Sequence, residues 1–285
     1  MDNLQAGTVV TLDVDRDVEF GYFLTNGEED VLLHHNEMTE GFDPDQPVTV
    51  FLFQDHQGRL AATMTIPFIV MGKYEWAEVV EVRDDLGVFV NIGISKDILV
   101  SKDDLPAIYS LWPEVGDRLF VTLKTDRRGR LFGKLAVEDI IRGVAAKATR
   151  KDFNKNVTGW AYRLLKVGTF ILTIENYIGF IHESQRKEEP RLGQKVEGRI
   201  VDVKEDGSVN VSLLGRKQET MGEDADEILA YMDSRGGKMP FWDKSTPEDI
   251  LDRFDMSKAS FKRALGKLMK EGVVYQEEGW TYRKE

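Results

Sequence analysis

The chain has 285 residues and no cysteine, which excludes disulfides and thiolate metal sites and suits three or four domains of modest size. Its net charge of −12 argues against nucleic-acid binding only if the charge is taken as an average over the chain. Residues 1–66 hold 2 basic and 13 acidic residues, whereas residues 141–222 hold 15 basic and 10 acidic residues. No run approaches the roughly 18 apolar residues of a membrane span and the amino terminus resembles no leader, so we expect a cytoplasmic protein that does not enter membranes.

Residues 1–66 predict a first five-stranded barrel, because short apolar or aromatic runs alternate with turn residues. A polyanion should be repelled by a unit this acidic, so we interpret it as a degenerate or protein-contacting copy. Its five predicted strands begin near Gly7, Phe20, Val31, Val48 and Arg59.

Residues 67–140 predict a second barrel, in which Arg127, Arg128 and Arg130 surround one turn. Two landmarks recur along the chain at similar spacing, which indicates an internal repeat. Turns before an aromatic strand lie at Gly21, Gly87 and Gly168, and closing turns lie at Gly58, Gly129 and Gly207.

Residues 141–156 form a basic connector, and a short helix is predicted across its start, over residues 137–146. Lys147, Arg150, Lys151 and Lys155 make the connector positive. Two interpretations stay open: a solvated linker, or a nucleic-acid contact beside the basic barrel that follows.

Residues 157–216 predict the third and most basic barrel, and its motifs are the most complete. They run from Gly168-Thr-Phe170 through Gly179-Phe-Ile-His182 and Gly193-Gln-Lys-Val to Asp206-Gly and Val209-Asn-Val-Ser. This series resembles the RNA-binding domain of ribosomal protein S1, a five-stranded barrel of the oligonucleotide-binding (OB) type.

The resemblance implies RNA contacts for an exposed Phe of the second strand and a His of the third, here Phe170 and His182. Val167 stands where a further aromatic is usual, and Ser208 replaces the usual Arg of the last strand. The second barrel carries Ile98-Leu-Val at the His position. The first barrel keeps all four features, at Phe20, Phe23, His34 and Arg59.

Residues 222–285 predict a winged helix. Their apolar residues recur at helical spacing instead of alternating as in a strand, and a small hairpin follows the helices. Helices are expected over 223–235, from Ser245 to Phe254, and from the cap Ser257 to Glu271, with strands at 273–276 and 280–283. On the third helix the apolar face is Phe261, Ala264, Leu265 and Leu268.

The predicted fold class is therefore mainly β with α: three tandem five-stranded S1-type barrels followed by a winged helix. This order is similar to that of the conserved virulence factor B proteins of Firmicutes. The resemblance covers essentially the whole chain and implies an RNA-binding post-transcriptional regulator without catalytic activity.

Aromatic and basic side chains of the second and third barrels are the candidate contacts with single-stranded RNA, although strand aromatics can equally be core. Exposed cations of the third predicted helix could contact nucleic acid. The candidate RNA-binding residues are Phe89, Arg127, Arg128, Arg130, Lys151, Trp160, Tyr162, Arg163, Phe170 and His182. The winged-helix candidates are Lys258, Lys262, Arg263, Lys267 and Lys270.

Enzymatic, metal and cofactor sites are not expected. The segment from Gly129 to Lys134 is one residue short of a phosphate loop, and Leu135 follows where a hydroxyl is needed. The four histidines lack metal-binding spacing. Two alternatives to RNA binding remain: a DNA-binding transcription factor that uses the winged helix, and a ribosome- or ribonuclease-associated adaptor that uses the acidic barrel.

Overall fold

The computed structural model describes residues 4–215 and 217–284, with the backbone alone for residues 217–221. The predicted domain limits at residues 1, 216 and 285 lie outside the described residues. The chain divides into two compact units, Met1–Leu213 and Leu214–Glu285. The first unit contains three closed five-stranded barrels, and the second contains the remaining helices and a small sheet.

Barrel 1 closes in the order β1-β2-β3-β5-β4, and β3 and β5 are its parallel pair. Alternate residues of each strand point inward, and Leu24, Leu33 and Val50 are fully buried. The strands are β1 (Val9–Val18), β2 (Gly21–Thr25), β3 (Asp30–His34), β4 (Val48–Gln54) and β5 (Leu60–Thr63).

Barrels 2 and 3 repeat this topology, which confirms the predicted tandem barrels. In each, the third and fifth strands pair in parallel. Barrel 2 comprises β6 (Glu75–Arg83), β7 (Gly87–Asn91), β8 (Ile98–Ser101), β9 (Arg118–Thr125) and β10 (Leu131–Leu135). Barrel 3 comprises β11 (Asn156–Leu165), β12 (Gly168–Thr173), β13 (Ile178–His182), β14 (Lys195–Val203) and β15 (Val209–Ser212).

The glycine that begins the second strand of every barrel has a steric cause. A Cβ at Gly21 or Gly87 would lie 2.1 Å from a carbonyl oxygen of the third strand, and one at Gly168 would lie 2.4 Å from the equivalent oxygen. Any side chain would force these strands apart. The repeated glycine of the sequence therefore marks a close approach of two backbones.

Barrels 1 and 2 share a hydrophobic core. Phe51 and Phe53 of β4 pack with Ile69 and with the interior of barrel 2. Lys96 of barrel 2 donates from Nζ to the carbonyl oxygens of Gln54 at 2.6 Å and Asp55 at 3.1 Å. Burial lowers the pKa of Lys96. The two barrels are therefore packed against each other along the chain.

Helix α1 (Glu138–Val144) lies at the junction of barrels 2 and 3. Its Ile141 is fully buried in a cluster with Phe120 of barrel 2 and with Leu172 and Ile178 of barrel 3. The cluster places apolar surface of both barrels out of water, which stabilises their relative position.

The connector after α1 is packed on barrel 3 through its backbone and Ala148. The backbone N–H of Ala146 donates to Asn176 O, and that of Ala148 donates to Gly207 O, each at 2.9 Å. Ala148 is buried in the core of barrel 3. These contacts hold the backbone, whereas Lys147, Arg150 and Lys151 remain exposed.

The second unit is a winged helix, as predicted. Thr246 and Ser257 cap α3 and α4 through their hydroxyl oxygens, which accept from Asp249 N and Ser260 N. The order of the sheet is β16-β18-β17, so the predicted hairpin gains a third, short strand. Its elements are α2 (Lys217–Asp233), β16 (Lys238–Met239), α3 (Pro247–Phe254), α4 (Lys258–Lys270), β17 (Val274–Glu277) and β18 (Trp280–Arg283).

Within residues 4–215 and 217–284, no helix has the length and hydropathy of a membrane span. Within the same ranges, no group of three or more His, Asp or Glu side chains is placed to hold a metal ion.

Candidate nucleic-acid interface

Four aromatic rings follow one another across the outer face of barrel 3, on β11, β12 and β13. We call Tyr162, Phe170, Phe180 and His182 the aromatic strip. Successive ring centroids lie 6.2, 4.9 and 6.3 Å apart. The register explains the series, because Phe170 is directly opposite Phe180 and Gly168 is opposite His182.

The rings of the strip lie above the core of the barrel. Phe170 and Phe180 are half-buried, whereas their neighbours Ile171 and Ile181 point inward and are fully buried. Each phenyl ring therefore rests on the sheet and keeps part of its surface accessible. Such rings are suited to stacking on unpaired bases, which bind to aromatic faces with little regard to sequence.

Two cations lie over the phenyl rings of the strip. The guanidinium carbon of Arg163 is 5.8 Å from the Phe170 centroid, and Lys204 Nζ is 5.7 Å from the Phe180 centroid. Arg163 also pairs with Glu138 of α1, Nη1 to Oε2, at 3.3 Å. The strip thus combines ring faces with positive charge, as a single-stranded nucleic acid requires.

The turn between the fourth and fifth strands differs among the barrels. In barrel 1, Asp55 accepts from the backbone N–H of Arg59 at 2.9 Å and from its Nε at 2.8 Å. In barrel 2, Asp126 binds Arg130 with the same two distances. Each of these pairs is internally neutralised.

Barrel 3 has Lys204 and Ser208 at the equivalent positions. The backbone hydrogen bond of the turn is retained, from Lys204 N to Ser208 O at 2.9 Å. The aspartate–arginine pair is lost, and Lys204 is exposed beside the aromatic strip. The turn therefore places the Lys204 ammonium at the point where it meets the rings, alongside the carboxylates of Glu205 and Asp206 in the same turn.

A cavity of about 320 Å³ opens beside Phe170, between the connector and this turn. Arg142, Lys147 and Lys204 line it together with Asp206, so cations outnumber the single carboxylate. A Cβ at Gly207 would lie 2.5 Å from Lys147 Cβ, so glycine permits the close contact that brings the connector here. The cavity can accept an anionic group such as a phosphate.

The histidine of the S1 pattern caps a short helical turn. His182 Nδ1 accepts from Ser184 N at 3.2 Å, and His34 Nδ1 accepts from Asn36 N at 3.1 Å. In barrel 2 the hydroxyl of Ser101 accepts from Asp103 N at 3.3 Å. Ser101, opposite Gly87, is therefore the equivalent position, and the assignment of that position to residues 98–100 was wrong.

Comparisons with known proteins agree on one family. Models described as "CvfB first S1-like domain", "Virulence regulatory factor CvfB, second domain" and "CvfB-like winged helix domain" match residues 74–134, 141–215 and 226–282. An S1 domain model matches residues 6–65. The conserved virulence factor B of Staphylococcus epidermidis is 39% identical over 255 residues, with 88% of this chain and 85% of that protein covered. The chain belongs to the conserved virulence factor B family.

Two other similarities extend over nearly the full chain. A Bacillus subtilis protein named "Uncharacterized protein YitL" is 53% identical over 283 residues, which are 99% of this chain and 95% of that protein. A Streptococcus pneumoniae crystal structure described as a multidomain protein with nucleic acid binding domains is 36% identical, with a TM-score of 0.68 and 98% of both chains covered. The predicted family and domain order are confirmed.

Two of the candidate contacts lie at the junction of barrels 2 and 3. The Trp160 ring packs 5.2 Å from Trp76 and lies under the Arg118 guanidinium at 5.4 Å. Tyr162 donates from Oη to Glu138 Oε2 at 3.2 Å. Burial, followed by the neighbouring Glu138 carboxylate, raises the pKa of Tyr162.

The remaining barrel candidates are dispersed. Phe89 is half-buried on β7, opposite Leu99 of β8. Arg127 and Arg128 are exposed and form no ion pair with another residue that the structure describes, whereas Arg130 binds Asp126. Lys151 is exposed in the turn that contains Asp152. The hydrogen bond from Lys155 and those from Thr149 lower the pKa of Asp152 to about 2.

The winged-helix candidates occupy the outer side of α4. Lys262, Arg263 and Lys270 are exposed, and Lys258 and Lys267 are half-buried. The opposite face of the helix is buried as predicted, with Phe261, Ala264, Leu265 and Leu268 in the core of this unit.

Phe180 and Lys204 are not among the RNA contacts predicted from the sequence. Phe180 lies within the Gly-Phe-Ile-His motif and alternates with the buried Ile181, so its outward direction could have been inferred from the strand period. Lys204 stands where barrels 1 and 2 have aspartate, which an alignment of the three closing turns would have shown.

Proposed function

We propose that the protein is a cytoplasmic, non-catalytic regulator that binds single-stranded RNA and acts after transcription. The observation that carries this proposal is the aromatic strip of barrel 3, with Arg163 and Lys204 over its phenyl rings. The rings would stack on bases, and the cations with the adjacent cavity would attract the phosphates.

An unpaired strand suits this surface better than a duplex. The rings lie on the outer face of a curved barrel, and stacking requires bases that are splayed out of a helix. OB-type barrels bind oligonucleotides on the face of their second and third strands, where Phe170 and Phe180 lie. The Streptococcus pneumoniae relative is described as having nucleic acid binding domains, which supports a nucleic-acid ligand, and the name shared by the Staphylococcus relatives supports a regulatory role.

A filter-binding panel of homopolymer RNAs, single-stranded DNA and duplex DNA tests the proposal with the full chain. We expect the RNAs to bind more tightly than duplex DNA, with affinity that falls as salt rises. Tighter binding of duplex DNA would contradict the proposal.

A pair of aromatic variants locates the binding surface. Phe180→Ala should weaken RNA binding by about 1–3 kcal/mol, because one stacking face is removed. Tyr109→Ala is the control, since Tyr109 is 54% exposed on barrel 2 and belongs to neither the strip nor the connector. Equal losses in both variants would argue against the strip.

Duplex DNA binding by the winged helix is a second candidate, which the exposed Lys262, Arg263 and Lys270 favour. An arginine or lysine on such a helix can contact guanine in the major groove. Replacement of all three by alanine should then abolish duplex binding and leave binding of homopolymer RNA unchanged. A ribosome or ribonuclease partner would instead require the acidic barrel 1, and co-purification of either with the full chain tests that role.

A further inference from the structure

A groove of about 340 Å³ crosses the outer face of barrel 2, next to its contact with barrel 3. Three adjacent strands, β7, β6 and β9, form its floor. None of the predicted RNA contacts lines it. The lining residues are Phe68, Trp76, Glu78, Val80, Asn91 and Arg118.

Apolar side chains form the walls of the groove. Phe68 is 44% exposed, although it is a large aromatic residue in a chain segment between two barrels. Its ring lies over Gly93, where a Cβ would approach Phe68 Cε1 to 3.3 Å. Trp76 is half-buried and is held by Trp160 at 5.2 Å and Phe120 at 5.1 Å. A planar ligand could therefore bind against fixed aromatic surfaces.

A row of three polar side chains crosses the floor. Glu78 of β6 is directly opposite Asn91 of β7 on one side and Arg118 of β9 on the other. Asn91 Oδ1 accepts from Gly93 N at 2.7 Å, which orients the amide so that Nδ2 is its remaining polar group. The row therefore presents a carboxylate between two hydrogen-bond donors.

The Glu78 carboxylate and the Arg118 guanidinium do not bind each other. Glu78 and Arg118 are cross-strand neighbours, yet neither forms an ion pair within 4.0 Å with any residue that the structure describes. Arg118 instead extends over the Trp160 ring, at 5.4 Å. Opposite charges this close, on exposed side chains, leave their hydrogen-bonding capacity for a ligand.

We propose that this groove binds an unpaired guanine base. Guanine presents two adjacent donors, N1–H and N2–H, which match the two oxygens of the Glu78 carboxylate. Its O6 is an acceptor for Asn91 Nδ2 or the Arg118 guanidinium, and its ring fits the aromatic walls. Adenine, cytosine and uracil each lack the pair of adjacent donors, so a carboxylate at this position discriminates against them.

The inference rests on the proposed function for the source of the base, an RNA strand that also binds the aromatic strip. Trp160 connects the two surfaces, because it contacts the groove through Trp76 and precedes Tyr162 of the strip by two residues on β11. A strand that leaves barrel 3 along β11 would reach the groove directly.

The test uses the full chain and oligouridine strands with one central guanosine, adenosine or uridine, followed by fluorescence anisotropy. The guanosine strand should bind about tenfold more tightly than the other two, the scale of one bidentate base contact. Glu78→Gln should remove that preference and change the affinity for plain oligouridine no more than the charge-matched control does. Glu81→Gln is the control, because it makes the same charge change on an exposed residue of β6 outside the groove.

Each outcome is decisive. Equal affinity for the three strands overturns the guanine site and leaves RNA binding by barrel 3 intact. A guanosine preference that persists in Glu78→Gln would mean that another site recognises guanine, which also overturns the guanine site in the groove. Failure of all three strands to bind overturns the proposed function. In that case guanosine monophosphate alone is tested, because the guanine could come from a free nucleotide instead of an RNA strand. Saturable binding that is lost in Glu78→Gln would support the groove as a site for a free guanine nucleotide. Absence of binding would overturn the guanine site.

Discussion

The indole rings of Trp76 and Trp160 lie 5.2 Å apart at an interplanar angle of 43°, one on the first strand of barrel 2 and the other on the first strand of barrel 3. The helix between the barrels adds the buried Ile141 to the same junction. The aromatic surfaces of two domains therefore belong to one packed body, and their spacing is set by the junction.

Loss of Ile141 should weaken this junction. Ile141→Ala removes a fully buried side chain and leaves a cavity, so we expect a loss of about 2–5 kcal/mol in the free energy of unfolding. Val144→Ala, on the exposed side of the same helix, should cost far less, because Val144 is 43% exposed. Urea unfolding followed by tryptophan fluorescence measures both variants, and equal losses would show that α1 does not hold the barrels together.

Charge and stacking should separate in the salt dependence of RNA binding. Lys204→Ala should reduce the slope of log affinity against log salt by about 0.7 if its ammonium contacts one phosphate of a single strand. Lys151→Ala should do the same if the connector contacts the strand. Phe180→Ala should lower affinity at every salt concentration and leave the slope unchanged, because it removes no charge.

Lys73→Ala is the control for these lysine variants. Lys73 is exposed in the segment before β6 and belongs to neither the strip nor the connector. If Lys73→Ala lowers the slope as much as Lys204→Ala does, the effect reflects the overall charge of the protein and the local assignment is wrong.

The sequence predicted the fold well because its periodicity is local. Strand alternation and the recurring glycines follow from backbone sterics within one barrel, and Gly21, Gly87 and Gly168 all make the same close approach. The apolar face of α4 was likewise predictable from helical spacing, and all four of its residues are buried.

The candidate site was predictable only in part, because packing between barrels has no local pattern. Trp160 and Tyr162 do share one strand face, but Trp160 contacts Trp76, which is 84 positions earlier in the chain. The sequence also gave no indication that the connector is bound to Gly207 and so carries Lys147 to the cavity beside Phe170.

Neutralising acidic residues of barrel 1 should raise RNA affinity. Removal of residues 1–66 is a poor test, because Phe51 and Phe53 pack in the core of barrel 2. Asp13→Asn, Asp17→Asn and Glu19→Gln change exposed side chains instead. The combined variant should bind RNA more tightly at low salt, and the gain should shrink near 0.1 M salt, where screening acts within about 10 Å.

Phe20→Ala tests the opposite interpretation of barrel 1. Phe20 is 47% exposed, and its ring is stacked with that of His34 at 6.4 Å between centroids. It could therefore bind a base if barrel 1 contacted RNA. We expect unchanged affinity, since the surrounding charge repels phosphate. A loss comparable to that of Phe180→Ala, together with no gain in the neutralised variant, would show that barrel 1 is a binding barrel.

The buried phenol of Tyr162 predicts a pH dependence of stability. Burial and the Glu138 carboxylate hold its pKa above the ordinary value of 10.0, so the folded protein keeps a proton that the unfolded chain releases above about pH 10. The stabilising contribution of the neutral phenol is therefore complete below pH 10 and declines as the pH rises beyond it. Tyr162→Phe has no proton to release at this position. Its free energy of unfolding should be lower by about 1 kcal/mol at neutral pH, because the hydrogen bond to Glu138 is lost.

Above pH 10 the two proteins should converge. Lysines and the other tyrosines are common to both, so the difference between the two urea-unfolding curves isolates Tyr162. A difference that narrows between pH 10 and 11.5 supports a phenol held neutral against Glu138 at the junction of barrels 2 and 3. A constant difference across that range would mean that Tyr162 ionises alike in the folded and unfolded chains, and that the Tyr162–Glu138 contact does not hold its proton.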